Sequence, residues 1–78
     1  MDMIDLETVL VDIFPKEMVT YSNHFWVKGK HCDMCIFHDV PRGRLIAGRS
    51  RDLQIKVFYL ADPELYRKIR EFYRYGLG

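Results

Sequence analysis

The residues best suited to chemistry lie between positions 31 and 38, a segment that contains two cysteines and two histidines. Thiolates and imidazoles are the usual ligands of zinc, and Cys32 and Cys35 have the Cys-x-x-Cys spacing of half a structural zinc site. His38 and His24 complete a possible ligand set, although no second Cys-x-x-Cys and no His-x3–5-His follows downstream. A zinc-stapled adaptor is therefore one hypothesis for this chain.

Strand geometry argues against that zinc site. If residues 32–35 are extended, Cys32 and Cys35 point to opposite faces, with Cα atoms about 10 Å apart. Cys32, Met34 and Ile36 recur at every second position, which predicts the buried face of a strand, and free cysteine often behaves as a small buried hydrophobe. A redox Cys-x-x-Cys usually begins a helix, and this one does not. We expect structural cysteines, with no metal and no cofactor.

Catalytic motifs are also lacking. The sequence contains no Gly-x-Ser-x-Gly elbow and no Gly-x4-Gly-Lys phosphate loop. Cys35 and His24 could form a nucleophile and base across a hairpin, but a chain of 78 residues has little room for a substrate pocket. We therefore expect a protein that is not an enzyme.

Positive charge is concentrated between residues 42 and 56, although the net charge of the whole chain is only +1. An arginine-rich hairpin can contact nucleic acid, because arginine pairs with phosphate in a bidentate manner. The alternative is a solvated turn in which cations protect strand edges from mispairing. The candidate nucleic-acid contacts are Arg42, Arg44, Arg49, Arg51 and Lys56.

Negative charge is concentrated at the other end, where residues 1–18 carry five carboxylates and one lysine. Carboxylates on a compact scaffold can imitate the spacing of phosphates and occupy a basic channel of a partner. Asp5 and Asp12 are the candidate partner-binding residues of this segment.

The order of elements is predicted from hydrophobic periodicity. A period of 3.6 predicts a helix over residues 3–14, which Pro15 ends, and a second helix begins after Asp62 and Pro63. Each helix is expected to bury one apolar stripe, formed by Leu6, Val9, Leu10, Ile13 and Phe14 in the first and by Leu65, Ile69, Phe72 and Tyr73 in the second. Between them, a period of two predicts strands over residues 21–28, 31–40, 44–47 and 53–60. The fold expected for residues 1–78 is a single α+β domain, a four-stranded antiparallel meander with an N-terminal and a C-terminal helix on one face (α-β-β-β-β-α).

The same alternation predicts which side chains the helices leave uncovered. If Phe25 and Val27 point to the helices, then His24, Trp26 and Lys28 point away from them. In the last strand, Leu53, Ile55, Val57 and Tyr59 are expected to be buried, which places Lys56 and Phe58 with Trp26. An exposed patch of this kind indicates a partner-binding or self-association site. We expect it to include His24, Trp26, Lys28 and Phe58, and a homodimer through this face is one possibility.

The remaining expectations concern compartment and function. The apolar runs are too short to span a membrane, the N-terminus is acidic, and two cysteines do not make a disulfide framework, so we expect a cytoplasmic protein.

In size and architecture the predicted domain is similar to very small phage-encoded inhibitors of host machinery, including anti-CRISPR proteins. These are often single domains without catalytic residues that block a target by occupying its surface. The preferred hypothesis is thus a non-catalytic module that occludes a protein target, such as a nucleic-acid-processing complex. A small nucleic-acid-binding regulator is the alternative, and the zinc-stapled adaptor is third.

Overall fold

The computed structural model describes residues 6–75, with no side-chain description for Tyr75. The helices are α1 (Leu6–Ile13) and α2 (Leu65–Tyr75), and the strands are β1 (Val19–Ser22), β2 (His24–Lys28), β3 (Asp33–Asp39), β4 (Arg44–Arg49) and β5 (Ile55–Tyr59). Short 3-10 helices occupy Lys16–Met18 and Val40–Arg42. Neither α1 nor α2 is long and apolar enough to cross a membrane. The expected first turn of the N-terminal helix, including Asp5, lies outside the described residues.

The five strands form one antiparallel sheet in the order β1-β2-β3-β4-β5. The α+β class and the meander are confirmed, but the prediction of four strands is wrong because the segment 21–28 reverses at Asn23. Asn23 has a φ of 66°, a left-handed conformation that asparagine tolerates better than most residues. Tyr21 and Phe25 then lie directly opposite each other with ring centroids 5.0 Å apart. The alternation therefore continues through the turn, which hides the turn from periodicity alone.

One hydrophobic core lies between the sheet and both helices. It is built from the apolar stripes of α1 and α2 and from alternate residues of β2 to β5. The helix residues are Leu6, Leu10, Phe14, Leu65, Ile69, Phe72 and Tyr73, and the sheet residues are Val27, Met34, Ile36, Leu45, Ala47 and Phe58. The buried stripes predicted for both helices are confirmed, and so is the burial of Met34 and Ile36.

The orientation predicted for the last strand is wrong. Phe58 is only 3% exposed, whereas Ile55 is 72% and Tyr59 is 57% exposed. The reason is the register with β4, in which Phe58 pairs with the buried Leu45 and therefore shares its face. Because side chains alternate along a strand, Ile55, Val57 and Tyr59 must point away from the helices.

Two close contacts attach the end of α2 to the sheet. The hydroxyl of Tyr73 donates a hydrogen bond to the Cys32 carbonyl (2.8 Å). A Cβ atom on Gly29 would lie 1.8 Å from the Tyr73 hydroxyl oxygen, so the close approach needs glycine at this turn. Arg49 donates to the Phe72 carbonyl (2.7 Å), and its guanidinium lies 4.3 Å from the Phe72 ring centroid. These contacts fix the helix layer relative to β3 and β4.

The corrected orientation of β5 makes neighbouring aromatic residues respond differently to truncation. We expect Phe58→Ala to lower the free energy of unfolding by about 3–5 kcal/mol, because it leaves a cavity in the core. Tyr59→Ala, on the exposed side of the same strand, should cost less than about 1 kcal/mol. Urea denaturation followed by circular dichroism measures both, and equal losses would contradict the orientation of β5.

A second prediction concerns alkaline stability. Burial, followed by the neighbouring Cys32 and Asp33, raises the pKa of Tyr73 above its ordinary value of 10.0. The unfolded chain therefore releases this proton first as the pH rises. The stability that neutral Tyr73 contributes is fully present below pH 10 and is lost as the pH rises through the folded pKa.

Tyr73→Phe should be less stable than wild type by about 1 kcal/mol at pH 8, because the hydrogen bond to Cys32 is removed. The difference between variant and wild type should shrink above pH 10. The matched control is Tyr66→Phe on the exposed side of α2. A constant difference between Tyr73→Phe and wild type from pH 8 to about pH 11 would contradict the role of the buried hydroxyl.

Candidate functional site

The candidate site is the face of the sheet opposite the helices, called here the open face. On the helix side, the core residues of β2 to β5 are all less than 4% exposed. On the open face, every residue of these four strands is half-buried or exposed. The open face comprises His24, Trp26, Lys28, Asp33, Cys35, Phe37, Asp39, Arg44, Ile46, Gly48, Ile55, Val57 and Tyr59.

The open face has an aromatic half on β2 and β3. The His24 ring stacks on Phe37 with centroids 4.2 Å apart, and its centroid lies 4.8 Å from that of Trp26. Lys28 places its Nζ atom 5.0 Å from the Trp26 ring, a cation–π distance. The Trp26 indole N–H donates to the Ser22 carbonyl (3.3 Å). These contacts orient three ring systems side by side, with Phe37 48% exposed.

The other half of the open face is aliphatic and lies on β4 and β5. Ile46 pairs with Val57, and Ile55 lies opposite Gly48. Tyr59 extends this half at the far end of β5. The side chains that face solvent here are apolar, whereas an antiparallel sheet with one solvated side usually alternates apolar with polar residues.

A groove of about 340 Å3 lies at the end of the open face next to the β4–β5 turn. One row of paired residues crosses β2 to β5 and consists of Trp26, Cys35, Gly48 and Ile55. The two smallest of them, Cys35 and Gly48, lie in the middle of the row. A Cβ atom on Gly48 would lie 3.3 Å from the Cys35 Sγ atom, so glycine keeps the floor of the groove low. Trp26 and Ile55 form its walls.

Leu53 lines the end of the groove from the β4–β5 turn. Its φ of 58° is a left-handed conformation, which strains the backbone of a leucine. Its side chain is exposed. The turn is held by backbone hydrogen bonds from Ser50 to the Asp33 carbonyl (2.8 Å) and from Arg49 to the Gln54 carbonyl (2.9 Å). An exposed leucine therefore stands at the rim in a fixed backbone conformation.

Charged side chains lie at the two ends of the open face and frame the apolar rows. Lys28 pairs with Asp33 across β2 and β3 at one end. At the other end, Arg44 donates to Asp39 (2.8 Å), and Arg42 also reaches that carboxylate (3.4 Å). The hydrogen bond from Arg44 holds the pKa of Asp39 below its ordinary value.

The predicted nucleic-acid residues do not form one surface. Arg49 lies on the helix side, where it contacts Phe72 and forms a salt bridge with Asp52 (2.6 Å). That hydrogen bond from Arg49 lowers the pKa of Asp52. Lys56 is also on the helix side, 5.6 Å from the Phe58 ring. Arg42 and Arg44 lie beside Asp39, and Arg51 is in the exposed β4–β5 turn.

The predicted partner-binding residues also do not all lie on one surface. His24, Trp26 and Lys28 come together on the open face as expected. Phe58 is in the core, so its assignment to the exposed patch is corrected. Asp12 is exposed on α1, within the helix layer, and Asp5 lies outside the described residues.

The two cysteines are separated by the sheet. Cys32 is buried beside Tyr73, and Cys35 lies in the groove on the open face. One zinc ion cannot bind both thiols in this arrangement, because Zn–S distances are about 2.3 Å. Within residues 6–75, no group of three or more His, Cys, Asp or Glu side chains is placed to hold a metal ion.

Several open-face residues are absent from the set predicted from the sequence. Phe37 could have been identified from the sequence. It is out of phase with the buried Met34 and Ile36, so its side chain must lie on the opposite face of β3, which is the face of Trp26 if β2 and β3 pair directly. The β5 residues Ile55 and Tyr59 give no usable signal, since their strand carries apolar residues on both faces. The groove depends on Gly48 meeting Cys35, a pairing between strands that local patterns do not contain.

Comparisons with models of protein families, with curated proteins and with solved structures found no match. The open face is therefore interpreted from its own geometry.

The groove predicts different reactivities for the two thiols. In the native protein, Cys35 should react with a small aromatic disulfide reagent, and Cys32 should react only after unfolding, because it is buried. The variants Cys32→Ala and Cys35→Ala assign each reaction by the loss of one thiol. Rapid native labelling of Cys35→Ala would contradict the placement of Cys32.

Proposed function

We propose that the protein is a non-catalytic binding module that occludes an apolar surface of a partner protein with its open face. The observation that carries this proposal is the composition of that face. Two contiguous apolar halves are exposed to solvent, while the opposite face of the same sheet is closed by helices. Contiguous exposed apolar patches usually mark protein interaction sites.

The arrangement of the open face matches the anatomy of a protein interface. Interfaces have an apolar core and a polar rim, and tryptophan, tyrosine and arginine contribute most of the binding energy. Here the aromatic and aliphatic rows lie in the middle, and the pairs Lys28–Asp33 and Arg44–Asp39 lie at the ends. Charged partners at the rim favour one orientation of the bound protein.

The rigidity of the open face favours affinity. Its residues project from paired strands, and His24, Trp26 and Phe37 already contact one another. Side chains that are ordered before binding lose little conformational entropy on association. The groove supplies a recess for one apolar side chain of the partner, between Trp26 and Ile55.

Occlusion is the mode of action that this geometry supports. A partner surface that is apolar and flat enough to receive a sheet becomes inaccessible to its other ligands once it is covered. Very small phage-encoded inhibitors of host machinery, including anti-CRISPR proteins, act by the same mode, and this parallel is an analogy of size alone. The proposed target is a protein, such as a component of a nucleic-acid-processing complex.

The test is a binding measurement on a partner purified from the native host after capture by the immobilised protein. Calorimetry should show that Trp26→Ala and Phe37→Ala each weaken binding by at least about 30-fold, as expected for interface hot spots. The matched control is Tyr66→Ala, which removes an exposed aromatic side chain from α2. It should change the affinity by less than about threefold.

Circular dichroism must show that each variant remains folded. Unchanged affinity in both Trp26→Ala and Phe37→Ala would overturn the proposal. A large loss in Asp12→Lys alone would assign the interface to the acidic helix instead.

Nucleic-acid binding through residues 42–56 is the alternative function, and it predicts a different result when the isolated protein is mixed with nucleic acid. It requires the isolated protein to bind duplex DNA or RNA at about 0.15 M salt, with affinity falling steeply as salt increases. Arg51→Glu combined with Lys56→Glu should then abolish duplex binding. The two substitutions spare Arg49, which is held by Asp52 and Phe72. That outcome would replace the proposed function.

A further inference from the structure

The outer edge of β5 carries unpaired backbone groups. β5 is the last strand of the sheet, and within residues 6–75 it pairs only with β4. An exposed edge presents free N–H and C=O groups that can pair with a strand of another chain. Proteins usually protect such edges with charge, proline or a bulge. β5 has a single charged residue, Lys56, and its register with β4 is regular.

The hydrogen bonds to β4 show which residues of β5 face outward. The Arg49 amide donates to the Gln54 carbonyl (2.9 Å), and the Leu60 amide donates to the Gly43 carbonyl (3.0 Å). In an antiparallel ladder, hydrogen-bonded residues recur at every second position. Even-numbered residues therefore face β4. The N–H and C=O groups of Ile55 and Val57 point to the free edge. The N–H of Tyr59 points there too, but its carbonyl already accepts the Asp62 amide (3.0 Å).

We infer that the β5 edge pairs in an antiparallel manner with β5 of a second copy of this chain, in a register centred on Val57. A two-fold axis through this register pairs Val57 with its own counterpart and Ile55 with Tyr59 of the other copy. The Val57 pair can exchange two hydrogen bonds, and each Ile55–Tyr59 pair can form one from the Tyr59 N–H to the Ile55 carbonyl, because the Tyr59 carbonyl already accepts the Asp62 amide. A closed dimer forms, because the same strand is used on both sides.

The side chains favour a second copy as the occupant. On the open face, the register brings together only apolar residues, Ile55 with Tyr59 and Val57 with itself. On the helix side, Lys56 lies opposite Phe58 of the other copy, so no like charges are directly opposed. The net charge of +1 adds little repulsion between two copies.

The opposite edge of the sheet is less suited to this pairing. β1 has four residues, and it carries Thr20 and Ser22 on the open-face side. A pairing of β1 with β5 would join unlike edges and would continue into a filament rather than close. The dimer through β5 instead aligns two open faces in one continuous sheet.

This inference goes beyond the proposed function and is tested separately from it. It uses backbone groups of β5, whereas the substitutions that test the proposed function, Trp26→Ala and Phe37→Ala, lie on β2 and β3. Sedimentation equilibrium of the purified full chain from about 1 µM to about 1 mM should show a monomer–dimer equilibrium, as expected for a small interface. A monomer throughout this range, or species that grow beyond the dimer, would overturn the inference.

Two variants at the centre of the register separate backbone pairing from side-chain contact. Val57→Pro removes an outward N–H without removing a hydrogen bond to β4, so the monomer keeps its ladder. It should weaken the dimer by at least about tenfold. Val57→Thr retains the N–H and the branched side chain, and its dimer should weaken by less than Val57→Pro.

A charge exchange tests the register even if Val57→Pro perturbs folding. Ile55→Glu and Tyr59→Lys should each weaken the dimer. The double variant should recover at least part of the loss, because the carboxylate introduced in one copy would then face the ammonium group introduced in the other. Failure of the double variant to recover would contradict the register. A dimer that is lost in Trp26→Ala but kept in Val57→Pro would instead show self-association through the open face.

Discussion

Burial of one face of the sheet against both helices is the interaction on which the rest of the structure depends. Leu10, Ile36 and Ile69 are fully buried there, together with residues from every strand between β2 and β5. The helices have 8 and 11 residues, and at 1.5 Å per residue they extend roughly 12 and 16 Å. Five strands about 4.8 Å apart form a surface that such helices can cover on one side. The described residues contain no further α-helix that could cover the other side, so the open face follows from the packing.

The apolar composition of the open face is the feature that points to a function. A sheet with one solvated side is most easily kept soluble by polar residues at alternate positions. This sheet has Trp26, Phe37, Ile55 and Tyr59 there, with charged pairs only at its ends. Exposed apolar rows carry a risk of aggregation. Their value to the molecule lies in contact with another surface, which is why the open face and the β5 edge support proposals about partners.

Prediction from sequence succeeded where local patterns determine the structure. The stripes of both helices, the alternation of β3 and the grouping of His24 with Trp26 and Lys28 are all properties of single segments. Asp62 shows the same principle, since its carboxylate accepts hydrogen bonds from Lys68 and from the Glu64 amide (2.9 Å), which lower its pKa in that order of importance. The predicted number of strands was wrong because a tight turn at Asn23 preserves the alternation of side chains. The predicted buried face of β5 was wrong because the pairing of Phe58 with Leu45 decides the orientation of this strand. That pairing joins distant parts of the chain, as does the contact of Gly48 with Cys35 that forms the groove.

Trp26 is the one tryptophan of the chain, so its fluorescence reports on the open face without a label. Acrylamide quenching of this fluorescence, measured for the free protein and for its complex with the purified partner, tests most directly whether the open face is the binding surface. We expect Trp26 to be quenched readily in the free protein and to become protected in the complex, with an emission shift to shorter wavelength. Dimerisation through β5 should leave the quenching unchanged, because Trp26 lies on β2. Strong protection already in the free protein, or equal quenching with and without the partner, would contradict the assignment of the open face as the binding surface.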